Sequence, residues 1–277
     1  MIQRHAASRY VQPLREGGSL PAVVDTEEDG LYVVKFRGAG QGAKVLIAEL
    51  IVGGLALRLG LPTPDLALVD VSSRFGRSEP DPEIQELLRR SHGTNVGLRY
   101  LEGAFNFDPS AAGDLVSPAL AAQTVWLDAL TTNPDRTHRN PNIMIWQGGA
   151  WLIDHGAALY AHHDWASVDD ARTRTPFPLI RSHVLLAAAG DLAEADAWGA
   201  GHLSGDAIAE VVAVVPDDLL MDPVAGSGDF ASGEAARSRY VRYLTERLAA
   251  RDTWLAAAIA AQEQLRLEAP QHLKARR

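Results

Sequence analysis

Asn133-Pro134-Asp135-Arg136-Thr137-His138-Arg139-Asn140-Pro141-Asn142 is followed by Ile143-Met144-Ile145-Trp146, Gln147-Gly148-Gly149 and Trp151-Leu152-Ile153, and then by Asp154-His155-Gly156. The first block places a carboxylate and an amide five positions apart on a polar loop. Two short apolar runs around a glycine turn read as a tight β-hairpin, which carries a second carboxylate at its far end. Asn140 and Asp154 are 14 positions apart, and the hairpin folds that separation back on itself. Transfer of a phosphoryl group calls for such groups. One carboxylate orients the attacking hydroxyl, while a carboxylate and an amide oxygen hold magnesium against the phosphates. Phosphates and two acids repel one another, so a bridging cation is required.

Working toward the N-terminus, residues 20–24 and 31–36 read as two strands joined by the acidic turn 25–30. Lys35 lies in the second, an apolar strand, and a lysine is rarely buried without a partner. Residues 44–59 carry apolar side chains at helical spacing, stopped by Gly60, Pro62 and Pro64, despite the costly pair Gly53-Gly54. Glu49 is the acid of that helix, 14 positions after Lys35. An edge-strand lysine and a surface glutamate are the alternative reading of this pair. Residues 66–71 read as a strand, 82–90 as a short helix and 95–107 as β-forming. Ser117-Pro118 supplies a cap and first-turn proline for a helix to about 130. Beyond Pro178 the chain reads as mainly helical, with one long stretch over 234–266.

The series Asp135, Asn140, hairpin, Asp154-His155-Gly156 resembles protein-kinase-like enzymes. Its local form, from Asn133 to Met144, resembles the HipA toxin kinases and their shorter relatives. The resemblance implies an α+β, two-lobed kinase-like fold, with a small β-rich N-lobe at 1–105 and a mainly helical C-lobe at 106–277. It implies Asp135 as catalytic base, Asn140 and Asp154 as magnesium ligands, and Lys35 on the ATP phosphates, paired with Glu49. Gly17, Gly18 and Ser19 resemble the loop that covers the phosphates, and Ser19 would be open to self-phosphorylation, adding about −1.5 to −2 of charge. Residues 98–102 fall where an adenine-contacting hinge would lie. Arg136, His138 and Arg139 either face the transferred group or are solvated loop charges. Asn142 competes with Asn140 for the metal. The ungapped register favours Asn140, leaving Asn142 as a turn residue whose amide bonds the loop backbone.

The implied function is an ATP- and Mg2+-dependent kinase acting on a Ser/Thr protein substrate, with the translation machinery as one candidate and an antitoxin-like protein as a partner. A nucleotide-binding pseudokinase, a nucleotidyl transferase and a small-molecule kinase remain open on the same scaffold. With 277 residues, 47% of them hydrophobic, the chain can bury a substantial core. Its net charge of −9 argues against a general attraction to nucleic acid or anionic membrane. The absence of cysteine excludes thiolate chemistry and disulfides. Without a long apolar run or a leader-like start, the expected location is the cytoplasm. His162 and His163 are expected to be structural or at the surface, and Trp126 to lie in the core.

Overall fold

The computed structural model describes residues 2–14, 20–40, 42–77, 79–222 and 229–268. The expected hairpin is β2 (Ala22–Thr26) and β3 (Gly30–Lys35), preceded by β1 (Gln3–Pro13) and followed by α1 (Ala43–Arg58), β4 (Leu66–Val71), α2 (Pro82–Arg90) and β5 (Gly93–Arg99). These five strands close into a barrel in the order β1-β2-β3-β5-β4. Closure depends on β1. Its first residues run parallel to β4, and from Ala7 onward it runs antiparallel to β2. The sequence reading does not anticipate β1, because Gln3, Arg4, Ser8 and Arg9 leave little apolar alternation, and only His5 and Ala7 are buried along it.

Local signals set the next elements. Asp81 caps α2, accepting from the Glu83 N–H at 2.9 Å, with Pro82 in the first turn. Helix α1 is buried almost all round, packing against β4 and β5 on one side and the later helices on the other. That position accounts for its two glycines. A Cβ on Gly53 would lie 2.9 Å from Leu66 Cδ1, and one on Gly54 2.8 Å from Val211 Cγ1. The helix gives up propensity there so that its neighbours can close in.

A second, three-stranded sheet consists of β6 (Phe105–Asn106), β7 (Ile143–Trp146) and β8 (Gly149–Leu152). The β7–β8 turn is Gln147-Gly148, both with positive φ (50° and 77°), and Gly149 already belongs to β8. The helices of this part are α3 (Pro109–Ala112), α4 (Pro118–Thr131), α5 (Asp170–Thr173), α6 (Leu192–His202), α7 (Gly205–Ala213), α8 (Asp217–Leu220), α9 (Gly233–Ala249) and α10 (Arg251–Glu268). The single long helix expected over 234–266 is two helices, broken at Ala250, where no glycine or proline announces the stop. Trp126 lies in the core, edge-on to Trp198 and Trp254. Among the described residues no helix is long and apolar enough to cross a membrane.

Candidate active site

Strand β3 ends on Lys35, which turns inward between α1 and the segment after β8. Its Nζ donates to Glu49 Oε2 at 2.6 Å and also contacts Asp154 Oδ1. Lys35 is 5% exposed and Glu49 fully buried, so neither is the solvent-facing residue of the alternative reading. Burial alone would push Lys35 down, but the two carboxylates outweigh it and hold the ammonium above its ordinary pKa. Burial raises Glu49. Asp154 is held low, because the charge of Lys35 overcomes its own desolvation. Formally the trio carries one negative charge in excess.

Asp154 has φ 52°, and Gly156 follows because a Cβ there would lie 2.5 Å from Val45 Cγ1. Asn142 (φ 49°), Thr132 (φ 53°) and Leu159 (φ 58°) share the left-handed region, so such non-glycine backbone is concentrated in the segment that the sequence marks as chemical.

On the facing loop, Asp135 Oδ2 accepts from Asn140 Nδ2 at 2.7 Å and from Asn142 Nδ2 at 3.2 Å. Both bonds fall on Oδ2, which leaves Oδ1 for another donor. Burial raises the Asp135 carboxyl, and the charge of Asp154 adds to the rise. The expectation that the Asn142 amide bonds loop backbone is corrected. It donates to the Asp135 carboxylate, while its backbone carbonyl accepts from Ile153 N–H at 3.0 Å. Asn140, His138 and Arg139 are exposed.

Arg136 follows neither alternative of the sequence reading. It is 1% exposed and points into the protein. Its Nε donates to Asp128 Oδ2 at 2.6 Å, its Nη1 to the carbonyls of Asn142 and Ile153, and its Nη2 to His155 Nδ1 at 3.2 Å. Asp128, fully buried on the last turns of α4, also receives Asn133 Nδ2 at 3.0 Å and His183 Nε2 at 2.9 Å. Although burial opposes it, Arg136 and His183 hold the Asp128 carboxyl below its usual range. His155, desolvated and beside Arg136, is lowered to about 3 and stays neutral. Sequence reasoning missed Asp128 and His183. One signal existed, a lone acid in the apolar run Trp126-Leu127-Asp128-Ala129-Leu130. His162 is buried against the Tyr240 hydroxyl at 3.1 Å, a structural placement, and His163 is exposed. Gly17, Gly18 and Ser19 lie outside the described residues.

No group of three or more His, Cys, Asp or Glu among the described residues is placed to hold a metal unaided. Magnesium does not need one, since it takes one or two protein carboxylates with phosphates and water. The donors here suit it. Lys35 Nζ and the Gly156 N–H both meet Asp154 at Oδ1, leaving Oδ2, and the Asn140 NH2 is spent on Asp135, leaving its amide oxygen.

The geometry agrees with the comparisons. The fold matches the proinflammatory kinase CtkA of Helicobacter pylori, with TM-score 0.54 and 12% identity, over 98% of this chain and 100% of that one. A weaker match is HipA of Shewanella oneidensis MR-1, from a toxin–antitoxin complex with HipB and operator DNA, with TM-score 0.43 and 14% identity, covering 92% of this chain and 68% of that one. No curated protein sequence matches. The mixed α+β fold with its β-rich N-terminal part is thus that of the kinase CtkA, as the sequence led one to expect. The HipA-like kinase profile matches residues 8–170, which is 163 of the 277, and the chain belongs to the HipA-like kinase family.

Proposed function

We propose that this chain is an ATP- and Mg2+-dependent phosphotransferase that passes the γ-phosphoryl group to a hydroxyl, with a protein serine or threonine as the acceptor class. The observation that carries the reading is the meeting of Lys35, Glu49 and Asp154, drawn from a strand, a helix and a post-hairpin segment up to 119 residues apart. No packing need is met by burying a lysine between two acids, whereas phosphate binding is. In this reading Lys35, aimed by Glu49, binds and aligns the phosphates. Asp135 Oδ1 orients the acceptor hydroxyl and takes its proton as the new O–P bond forms and the bond to the ADP oxygen breaks. Asp154 and Asn140 would hold magnesium, which when bound neutralises charge developing on the phosphates. We place the division between lobes at 105/106. Family membership alone supports an antitoxin-like partner and a protein of the translation machinery as substrate.

Incubation with ATP labelled separately on the α- and γ-phosphates, in total cell lysate, tests the reaction class. Label from the γ-position alone is expected on protein. Label from the α-position would make the chain a nucleotidyl transferase, and none from either would make it a binding module. Lys35→Met and Asp154→Ala are each expected to lower transfer by about 10²-fold or more, and undiminished turnover by a folded Asp154→Ala variant overturns the assignment.

The two asparagines separate by magnesium titration. Asn140→Ala is expected to raise the magnesium needed for half-maximal activity. Asn142→Ala puts alanine at φ 49°, which costs about 1–2 kcal/mol of stability, with little change in the magnesium requirement. The reverse pattern assigns the metal to Asn142.

A further inference from the structure

The central histidine of Asp154-His155-Gly156 has no part in the mechanism above, yet it is completely buried and makes two polar contacts, one to Arg136 beside the loop acid and one to Glu49 on α1. On one side its Nδ1 accepts from Arg136 Nη2 at 3.2 Å. Arg136 is the neighbour of Asp135 in the chain, and its guanidinium also holds the Asn142 and Ile153 carbonyls, which end the loop and the hairpin. On the other side the His155 N–H donates to Glu49 Oε2 at 2.9 Å, the same oxygen that holds Lys35 at 2.6 Å. The ring lies against α1 where Gly53 leaves room, since a Cβ there would be 3.6 Å from His155 Cδ2. Because a guanidinium only donates, Nδ1 must be the acceptor and Nε2 must carry the hydrogen. Nε2, equally buried, finds no partner among the described residues. A ring that merely filled space would be better apolar, because an unpaired buried N–H is a cost. The polar ring is explained by its acceptor.

We propose that His155 is a positioning residue that joins the loop bearing Asp135 to the Lys35–Glu49–Asp154 cluster, through Arg136 on its ring and Glu49 on its backbone, so that the two halves of the site keep one geometry. The proposal rests on the phosphotransferase reading for its activity readout only. Two substitutions separate acceptor from bulk. His155→Asn keeps an acceptor at the position of Nδ1, the same number of bonds from Cα, with less volume. His155→Leu keeps apolar volume and removes the acceptor, leaving Arg136 Nη2 unpaired.

His155→Leu is expected to retain ATP affinity and lose about 10²-fold in transfer rate, the scale on which small misplacements act. His155→Asn is expected to recover most of that loss. Amide hydrogen exchange read in parallel should speed up over 133–142 and 152–156 in the leucine variant and return toward native rates in the asparagine variant. Native transfer and native exchange in His155→Leu, or asparagine performing no better than leucine, overturns the proposal. If the native protein shows no transfer, the phosphotransferase reading falls, and the exchange measurement alone still decides the role of His155.

Discussion

Asp135→Asn is expected to leave ATP affinity intact and to lower transfer by ~10²–10⁴-fold, the range over which positioned proton acceptors act. The two properties separate because the loop acid touches neither Lys35 nor the segment that holds it. Its contacts are the amides of Asn140 and Asn142, both on Oδ2, and an asparagine side chain can still present an oxygen to those donors. The loop therefore keeps its shape while the group facing the acceptor can no longer take a proton. Equilibrium binding of ATP and single-turnover transfer are the measurements. If affinity and rate fall together, Asp135 holds the metal or the fold, and the roles given to the two acids are exchanged.

The second large effect falls on stability. Asp128→Ala removes the only carboxylate that Arg136 contacts among the described residues while leaving the guanidinium buried, and it strips His183 and Asn133 of their shared acceptor. Breaking a buried pair in this way costs about 3–5 kcal/mol. For a chain of this size that lowers Tm by roughly 10 °C, at about 2–4 °C per kcal/mol. Thermal unfolding by circular dichroism reads it directly. A loss below about 1 kcal/mol would mean that Arg136 is served by its carbonyl contacts and that Asp128 is not the anchor of the loop.

The parts of this molecule legible in the sequence are those specified locally. Asp81-Pro82 and Ser117-Pro118 announce helix starts, Gln147-Gly148 announces a hairpin, and the apolar period of 44–59 announces α1; all four occur in the structure. The HipA-like character of the 133–156 segment was legible too, because acids and amides at set spacing have few other uses. Strand β1 was hidden because its own side chains carry little β-character and its first residues pair with β4, more than 60 residues on. Arg136 was misread for a related reason. A cation in a polar loop looks solvated until the carboxylate that pulls it inward is found, and that carboxylate sits on the preceding helix. Asp128 itself is a lone acid in an apolar helical run, with no local motif to mark its partner. The contact of Lys35 with Glu49 and Asp154 could be anticipated as chemistry, but the burial that gives it meaning is a property of the packed chain.

The closure of the barrel through β1 has a consequence for recognition. An open sheet offers the N–H and C=O groups of its outermost strands to any extended peptide, and many domains capture partners by adding such a strand. Here each of the five strands of the Lys35-bearing sheet already has a neighbour on either side. Where a strand is paired on both sides, as along β2, no edge is left for a substrate or partner segment, and β1 divides its pairing between β4 and β2. Among the described residues, outer strands lie on the small sheet, at the two-residue β6 and at β8, whose Leu152 N–H is already given to the Pro62 carbonyl at 2.7 Å. A protein that docks on the doubly paired strands must therefore be read by side chains, and its backbone need not be extended where it touches.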